Sequence, residues 1–252
     1  MDLSSLLHKY HEAVLISYLI VFFYYFFNIS IVELYSIVYN ITMENLNSNY
    51  IDSYINLQGL LSQQVNNQCN TDFLSFVRLM APSIVSDFRM GRHIEVISEK
   101  LQQVENGELK RLMVFLPPRS SKSVVCSKLF PAWYIGRNPE HELLTISHSD
   151  QLASDFGRSV RDIVNTEEFS KVFRGVALRS DVRAAGKWKT NQNGTYYAAG
   201  VRSQIAGRGA HVAILDDAMS EEDAISSAGR RFIKEWYPAG LRTRIMPDGA
   251  IV

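Results

Sequence analysis

The sequence predicts an α/β fold built on a mostly parallel sheet and preceded by a helical N-terminal region. Three observations carry that expectation. Apolar runs of strand length alternate with stretches of helical spacing from about residue 72 onward. Several runs, LMVFL at 112–116, ELLTIS at 142–147 and HVAILD at 211–216, are apolar nearly throughout, as buried strands are. The 252 residues are 46% apolar and 21% charged, the balance of an ordinary folded chain and not of a disordered, collagen-like or disulfide-rich one.

Charge and cysteine content exclude more. Lys plus Arg and Asp plus Glu number 26 each, so no whole-chain attraction draws the protein to nucleic acid. Cys69 and Cys126 form no metal-ligand spacing, and two thiols in a chain of this length suit a reducing compartment.

Composition divides the chain at residues 1–42, 43–71 and 72–252. The first stretch holds one lysine, Lys9, three acids and six of the twelve tyrosines, and Ala13 to Val32 is uncharged. Twenty such residues match the length of a membrane-crossing helix. Lys9 before it and Glu33 after it weakly favour an inside N-terminus. No A-x-A-like cleavage site follows, so a removable signal peptide is not expected. Three readings stand side by side: a membrane anchor, a buried apolar helix, or translation that starts at Met43 downstream of AT-rich read-through. From Met43 onward 25 basic and 23 acidic residues make a mildly basic domain.

The elements follow in order. Residues 44–71, rich in Asn, Gln and Ser, read as a loose polar linker with room for one helix. Asp72 is placed to cap a helix through Phe73, Phe76, Val77 and Met80, with Pro82 after it. His93 to Val104 is a second amphipathic helix, ended by Glu105-Asn106-Gly107. The strand 112–116 stops at Pro117-Pro118, and a helix is expected from Lys122 to Trp133. Strand 142–147 leads to a helix from Asp150 to Val164, and TYYAAG at 195–200 and HVAILD at 211–216 are further strands. Glu221 to Trp236 reads as helical, and residues 241–252 as two strand-like runs around Pro247-Asp248-Gly249.

Two of these strand ends carry chemistry. Between strand 112–116 and its helix lies Pro117-Pro118-Arg119-Ser120-Ser121-Lys122-Ser123. A phosphate-binding loop occupies that context, with backbone N–H groups and a helix N-terminus facing phosphate, a lysine on the β/γ oxygens and a hydroxyl on Mg²⁺. Leu116 and Ser121 stand at its two glycine positions, so the alternative is a proline-rich turn with a solvated lysine. The strand 211–216 ends in Asp216-Asp217. One such carboxylate can hold Mg²⁺ and a second can polarise water, although two acids after a strand also suit a turn or a cap. Both motifs fall at C-terminal strand ends, where open α/β sheets place ligands.

From about Asp72 to Val252 the chain resembles the N-terminal ATPase domain of the large terminase subunit of tailed bacteriophages. Pro117-Pro118-Arg119-Ser120-Ser121-Lys122-Ser123 resembles that family's variant phosphate loop, P-P-R-x-G-K-S. The likeness continues through Pro131-Ala132-Trp133, Gly136-Arg137-Asn138-Pro139, Ser147-His148-Ser149 with Leu152-Ala153, and Ile205-Ala206-Gly207-Arg208-Gly209. It closes with Ile214-Leu215-Asp216-Asp217, Trp236-Tyr237 and Thr243-Arg244.

The resemblance implies a three-layer P-loop NTPase that hydrolyses ATP with Mg²⁺ and drives double-stranded viral DNA into a procapsid. Pro118, Arg119, Ser120, Ser121, Lys122 and Ser123 would bind nucleotide, with Lys122 on the β/γ-phosphates and Arg119 sensing the γ-phosphate. Ser123 and Asp216 would hold the metal. Asp217 takes the place of the catalytic acid, which is Glu in many relatives. Arg208 is a candidate arginine finger toward a neighbouring subunit, the alternative being loop charge near DNA or a carboxylate. Implied partners are viral DNA, the portal protein, the small terminase subunit and further copies in a ring. The implied location is the host cytoplasm, transiently on the procapsid, with a membrane only if residues 13–32 are inserted. An adenine contact is expected from residues 73–93.

Departures temper this. A Cβ at Ser121 costs energy wherever the loop needs positive φ. The family's coupling stretch and RNase H-like nuclease domain are expected after residue 252, so no DNA cutting is assigned and the chain reads as a fragment or split gene product. Alternatives to a motor are an inactive ATPase-like remnant, an assembly subunit, or a membrane-anchored P-loop protein. Arg174, Arg179, Arg183, Lys187 and Lys189 form a basic loop that suits DNA phosphates or plain solvation. Cys126 is expected to pack as a small hydrophobe, and His148 and Trp133 to be structural.

Overall fold

The computed structural model describes residues 48–252, with side chains from Ile55 onward apart from Arg183. The uncharged stretch 13–32 lies outside the described residues. Residues 62–252 form one compact unit.

The polar segment expected to be a loose linker contains a continuous helix, α1 (Ser48–Thr71). Proline is absent from it, and near its end Val65 packs against the core and Cys69 is buried. Helix α2 (Phe73–Ile84) starts where expected, with Asp72 accepting from the Ser75 N–H at 2.7 Å. Pro82 lies inside its last turn instead of after it. Helix α3 (Arg92–Glu105) ends at a turn in which Gly107 has φ +77°.

The next strand departs from expectation. Residues 112–116 do not form a buried strand; only Arg111 bridges Ile251, in parallel, and Leu112 donates to the Ile251 carbonyl at 3.0 Å. Leu112, Val114 and Leu116 pack against the core, whereas Met113 and Phe115 are 81% and 85% exposed. Among the described residues the apolar run is therefore covered on one face and exposed on the other.

The following helix starts at Lys122, passes through a π-helical stretch (Val124–Leu129) and continues as α4 (Phe130–Arg137). Strand β1 (Glu142–Ser147), α5 (Asp150–Val164), β4 (Thr195–Gly200) and β5 (Ala210–Leu215) closely match their expected spans. Between them lie α6 (Glu167–Val172) and two strands that sequence reading missed, β2 (Leu178–Ala184) and β3 (Lys187–Thr190). The basic segment 174–189 is therefore largely a hairpin, and Arg179 pairs with Asp181 in it. The expected helix 221–236 breaks at Ser226 into α7 (Glu221–Ile225) and α8 (Ser227–Trp236), because the Ser226 hydroxyl accepts from the Gly229 N–H and starts a new helix. Finally β6 (Ile245–Ile251) is one strand; Pro247-Asp248-Gly249 forms an irregularity within it, opposite a register shift between Ala210 and Val212, and not a turn.

The six strands run β2-β3-β4-β1-β5-β6. Pairs β4/β1, β1/β5 and β5/β6 are parallel, and the β2 and β3 edge is antiparallel. Side chains alternate across the sheet. Leu143, Tyr196, Val212 and Ile214 join a core with α2–α6, while Leu144, Ile146, Ala199 and Ala213 meet Phe232, Trp236 and Leu241. Trp133, fully buried, donates to the Cys69 carbonyl at 2.9 Å and tilts against Phe73. Among the described residues no helix is long and apolar enough to cross a membrane.

The start of β1 carries a titratable cluster. The His141 and His211 rings stack at 4.0 Å, and the Tyr134 hydroxyl meets His141 Nδ1 at 2.9 Å. Burial, then the His211 ring, push His141 below its ordinary pKa against the opposing pull of Glu140 and Glu105. A histidine disfavoured in its charged form supports the fold above its unfolded pKa near 6.5, and that support is lost as pH falls. We expect the urea midpoint of the wild type to drop between pH 7.5 and 5.5, and a His141→Gln variant to show a smaller drop. Parallel pH profiles for the two would contradict this.

Candidate functional site

The segment that follows residue 116 turns sharply. Ser120 donates its hydroxyl to the Pro117 carbonyl at 2.7 Å, and both Arg119 and Ser121 adopt left-handed backbone, with φ +63° and +60°. The chain then enters helix at Lys122. Backbone alternating in this way before a helix N-terminus aims N–H groups at one point, the form of an anion-binding nest. Pro118 and Arg119 are exposed, and Ser120, Ser121 and Ser123 are partly so.

Across the sheet surface, β5 delivers Asp216 to the same point. Lys122 Nζ lies 2.9 Å from Asp216 Oδ1 and 3.6 Å from Asp217 Oδ1. The Ser127 hydroxyl donates to Asp216 Oδ2 at 2.7 Å from one turn further along the helix. Asp216 is 3% exposed and Asp217 64%. Burial pushes the Asp216 carboxyl up, but hydrogen bonds from Ser123, Ser127 and Lys122, together with the lysine's charge, outweigh it and hold the group below its ordinary value. Burial likewise pulls Lys122 down, and the two carboxylates outweigh that and raise it. The pair is therefore firmly ionised at neutral pH.

Asp217 also has left-handed backbone, φ +50°. Its carbonyl accepts from the His148 N–H at 2.8 Å and lies 3.2 Å from His148 Nδ1. Three of the four non-glycine residues with positive φ among the described residues, Arg119, Ser121 and Asp217, thus fall at this one site. Such strain persists only where the surroundings enforce it, and it concentrates at functional sites. Sequence reading gave His148 a structural role without saying what it holds; its place after strand β1, next to the end of β5, was the available signal. Ser127 was also missed, and its spacing of four from Ser123, on the same helical face, would have found it.

Mg²⁺ takes one or two protein oxygens and keeps waters or phosphates for the rest. The oxygen donors that could hold such an ion here are the Ser123 hydroxyl, hydrogen-bonded to Asp216, and the Asp216 carboxylate, paired with Lys122. Among the described residues no group of three or more His, Cys, Asp or Glu converges on a point where a metal ion could be held.

Other expected residues fall elsewhere. Arg208 is not part of this cluster: its guanidinium lies 4.6 Å from the Tyr197 ring centre, on the sheet face opposite Asp216. Cys126 packs as expected, with burial first and Asp216 second pushing its thiol up to about 12. A cavity of about 600 Å³ opens beside Lys122 and Asp216, lined also by Met113, Phe115, Leu215 and Tyr237.

Comparison with protein-family models and with curated proteins finds no match.

Left-handed backbone costs a residue with a Cβ roughly 1–2 kcal/mol, against a chain-entropy penalty of about 0.5–1 kcal/mol for glycine. Ser121→Gly is therefore expected to stabilise the protein by ~0.5–1 kcal/mol in urea unfolding followed by circular dichroism. A lower midpoint would show that Ser121 is not strained.

Proposed function

We propose that this protein is a Mg²⁺-dependent ATPase domain of the three-layer P-loop kind, and that its nucleotide site is built from Pro118 to Ser123, Asp216 and Asp217. One observation carries the reading. Lys122 and Asp216, 94 positions apart, meet at 2.9 Å where a left-handed loop becomes a helix beside a parallel strand end. A basic loop and an acidic strand end are each common; their convergence at this point of an α/β sheet is the arrangement that phosphate and Mg²⁺ require.

In that role the loop N–H groups and Lys122 bind phosphate oxygens, and Arg119, exposed at the loop's rim, reaches the terminal phosphate. Bound Mg²⁺ would neutralise phosphate charge, held by Ser123 and Asp216. Lys122 must exchange its carboxylate partner for phosphate when nucleotide arrives. Asp217, exposed and held through its own carbonyl by the His148 N–H, would accept a proton from attacking water. The family resemblance extends this to a terminase motor acting on double-stranded viral DNA with portal protein, small subunit and a ring of copies, and to Arg208 as a finger toward a neighbour.

A second reading, a nucleotide-binding remnant without turnover, is favoured by the left-handed Ser121 in place of glycine. Calorimetric titration of Mg-ATP into the 252-residue protein tests binding. We expect a Kd in the micromolar to sub-millimolar range, weakened at least ~10-fold in Lys122→Ala, and an Asp216→Asn variant that loses Mg²⁺ dependence. Circular dichroism establishes that each variant is folded. Folded wild-type protein with no heat of binding would overturn the proposal; binding without phosphate release would select the remnant.

A further inference from the structure

Among the described residues three side-chain polar atoms are buried without a hydrogen-bond partner: the Ser98 hydroxyl in α3, Nε of Arg244 just before β6, and the Ser147 hydroxyl at the end of β1. Interior hydroxyls are nearly always bonded. Of the three, Ser147 alone stands at a C-terminal strand end, the edge of the sheet where Lys122 meets Asp216, and it has no exposed surface.

Strand alternation gives its direction. Leu143 and Thr145, the latter bonded by the Tyr196 hydroxyl at 2.8 Å, point to the sheet face covered by α2–α6, and Ser147 follows at a spacing of two. Val212, Ile214 and then Asp216 point to the same face from β5, where Asp216 meets Ser127. Ile146 pairs with Leu215, and the Asp216 N–H donates to the Ile146 carbonyl at 3.0 Å. Ser147 and Asp216 are therefore lateral neighbours, one strand spacing of about 4.8 Å apart. On its other side Ser147 pairs with Gly200, and a Cβ there would meet the backbone of Ser149 and Asp150 at 3.0 and 2.8 Å, where α5 begins. The polar side chain that flanks Ser147 across the ladder is thus Asp216.

In the free protein Asp216 has no need of it. Lys122 lies 2.9 Å from Oδ1, the Ser127 hydroxyl donates to Oδ2 at 2.7 Å, and Ser123 gives a further bond. Binding of Mg-ATP in the manner proposed above withdraws two of these at once, Lys122 to phosphate and the Ser123 hydroxyl to the cation. A carboxylate that is 3% exposed has little water to draw on in their place.

We propose that Ser147 is a positioning residue held in reserve for Asp216. Rotation about its Cα–Cβ bond turns the hydroxyl to the carboxylate when Lys122 leaves, and the new bond fixes the orientation of Asp216 while its charge passes from the lysine to the cation. The inference rests on the ATPase reading for the event that moves Lys122; the reserve bond itself is a property of the chain without nucleotide.

Urea unfolding of the 252-residue protein as wild type, Ser147→Ala, Lys122→Met and the double variant reads that bond directly. With Lys122 present the hydroxyl is a buried group without a partner, so Ser147→Ala is expected to leave the midpoint unchanged or raise it. With Lys122→Met the hydroxyl has turned to Asp216, and Ser147→Ala is expected to lower the midpoint. Calorimetric titration reads its use: the Kd for Mg-ATP is expected to be at least ~5-fold weaker in Ser147→Ala than in the wild type. The titration decides alone if Lys122→Met does not fold. A midpoint shift that is the same in both lysine backgrounds makes Ser147 an ordinary structural hydroxyl and overturns the proposal, as does a Ser147→Ala protein that binds Mg-ATP as tightly as the wild type. Wild-type protein that binds no Mg-ATP overturns the ATPase reading itself, whatever the unfolding shows, so the two failures are told apart.

Discussion

Asp216 is a carboxylate with almost no exposed surface, and burial of that kind is tolerated only where charge and hydrogen bonds replace water. Lys122 supplies the charge, and Ser123 and Ser127 supply hydrogen bonds from the same helix. Much of the local architecture follows from satisfying this one group. The helix must start at Lys122, the preceding loop must turn within a few residues, and β5 must end beside that helix. The left-handed residues at 119 and 121 are the conformational cost of the turn.

The same interaction defines what a ligand must do. Lys122 is bonded to the carboxylate proposed to hold the metal, so a polyphosphate with Mg²⁺ has to replace a formed ion pair and not merely enter an open pocket. That exchange conserves charge: the lysine passes from carboxylate to phosphate and the carboxylate from lysine to cation. Asp217 stays largely in solvent beside it, its backbone tied to His148 at the end of β1. This hydrogen bond joins the ends of strands β1 and β5 at the candidate proton acceptor.

Strands β1, β4 and β5 and helices α2, α3 and α5 were legible in the sequence because their apolar spacing and caps agree with their burial. Sequence reading put the Lys122 loop and Asp216 at strand ends, but their direct ion pair, formed across 94 positions, was not legible. Nor was the hairpin β2–β3, since Arg179, Asp181, Lys187 and Lys189 mask a pattern in which only Trp188 and Thr190 are buried in β3. The end of α7 was hidden because Ser226 reads as mid-helix until its hydroxyl is seen capping a new one. Residues 112–116 misled in the opposite direction: apolarity signalled burial on both faces, whereas Met113 and Phe115 face outward. His148 and Ser127 carried only positional signals, the end of a strand and a spacing of four from Ser123, and their partners lie far along the chain.

The dependence of the site on a single ion pair is open to a direct measurement. A double-mutant cycle with Lys122→Met, Asp216→Asn and the combined variant, read by urea unfolding at pH 7, isolates the coupling between the two side chains. The account predicts a favourable coupling of ~1–3 kcal/mol, with the double variant more stable than the sum of the single losses implies. Strictly additive losses would contradict it, because loop, helix start and strand end would then be held together by something other than this contact.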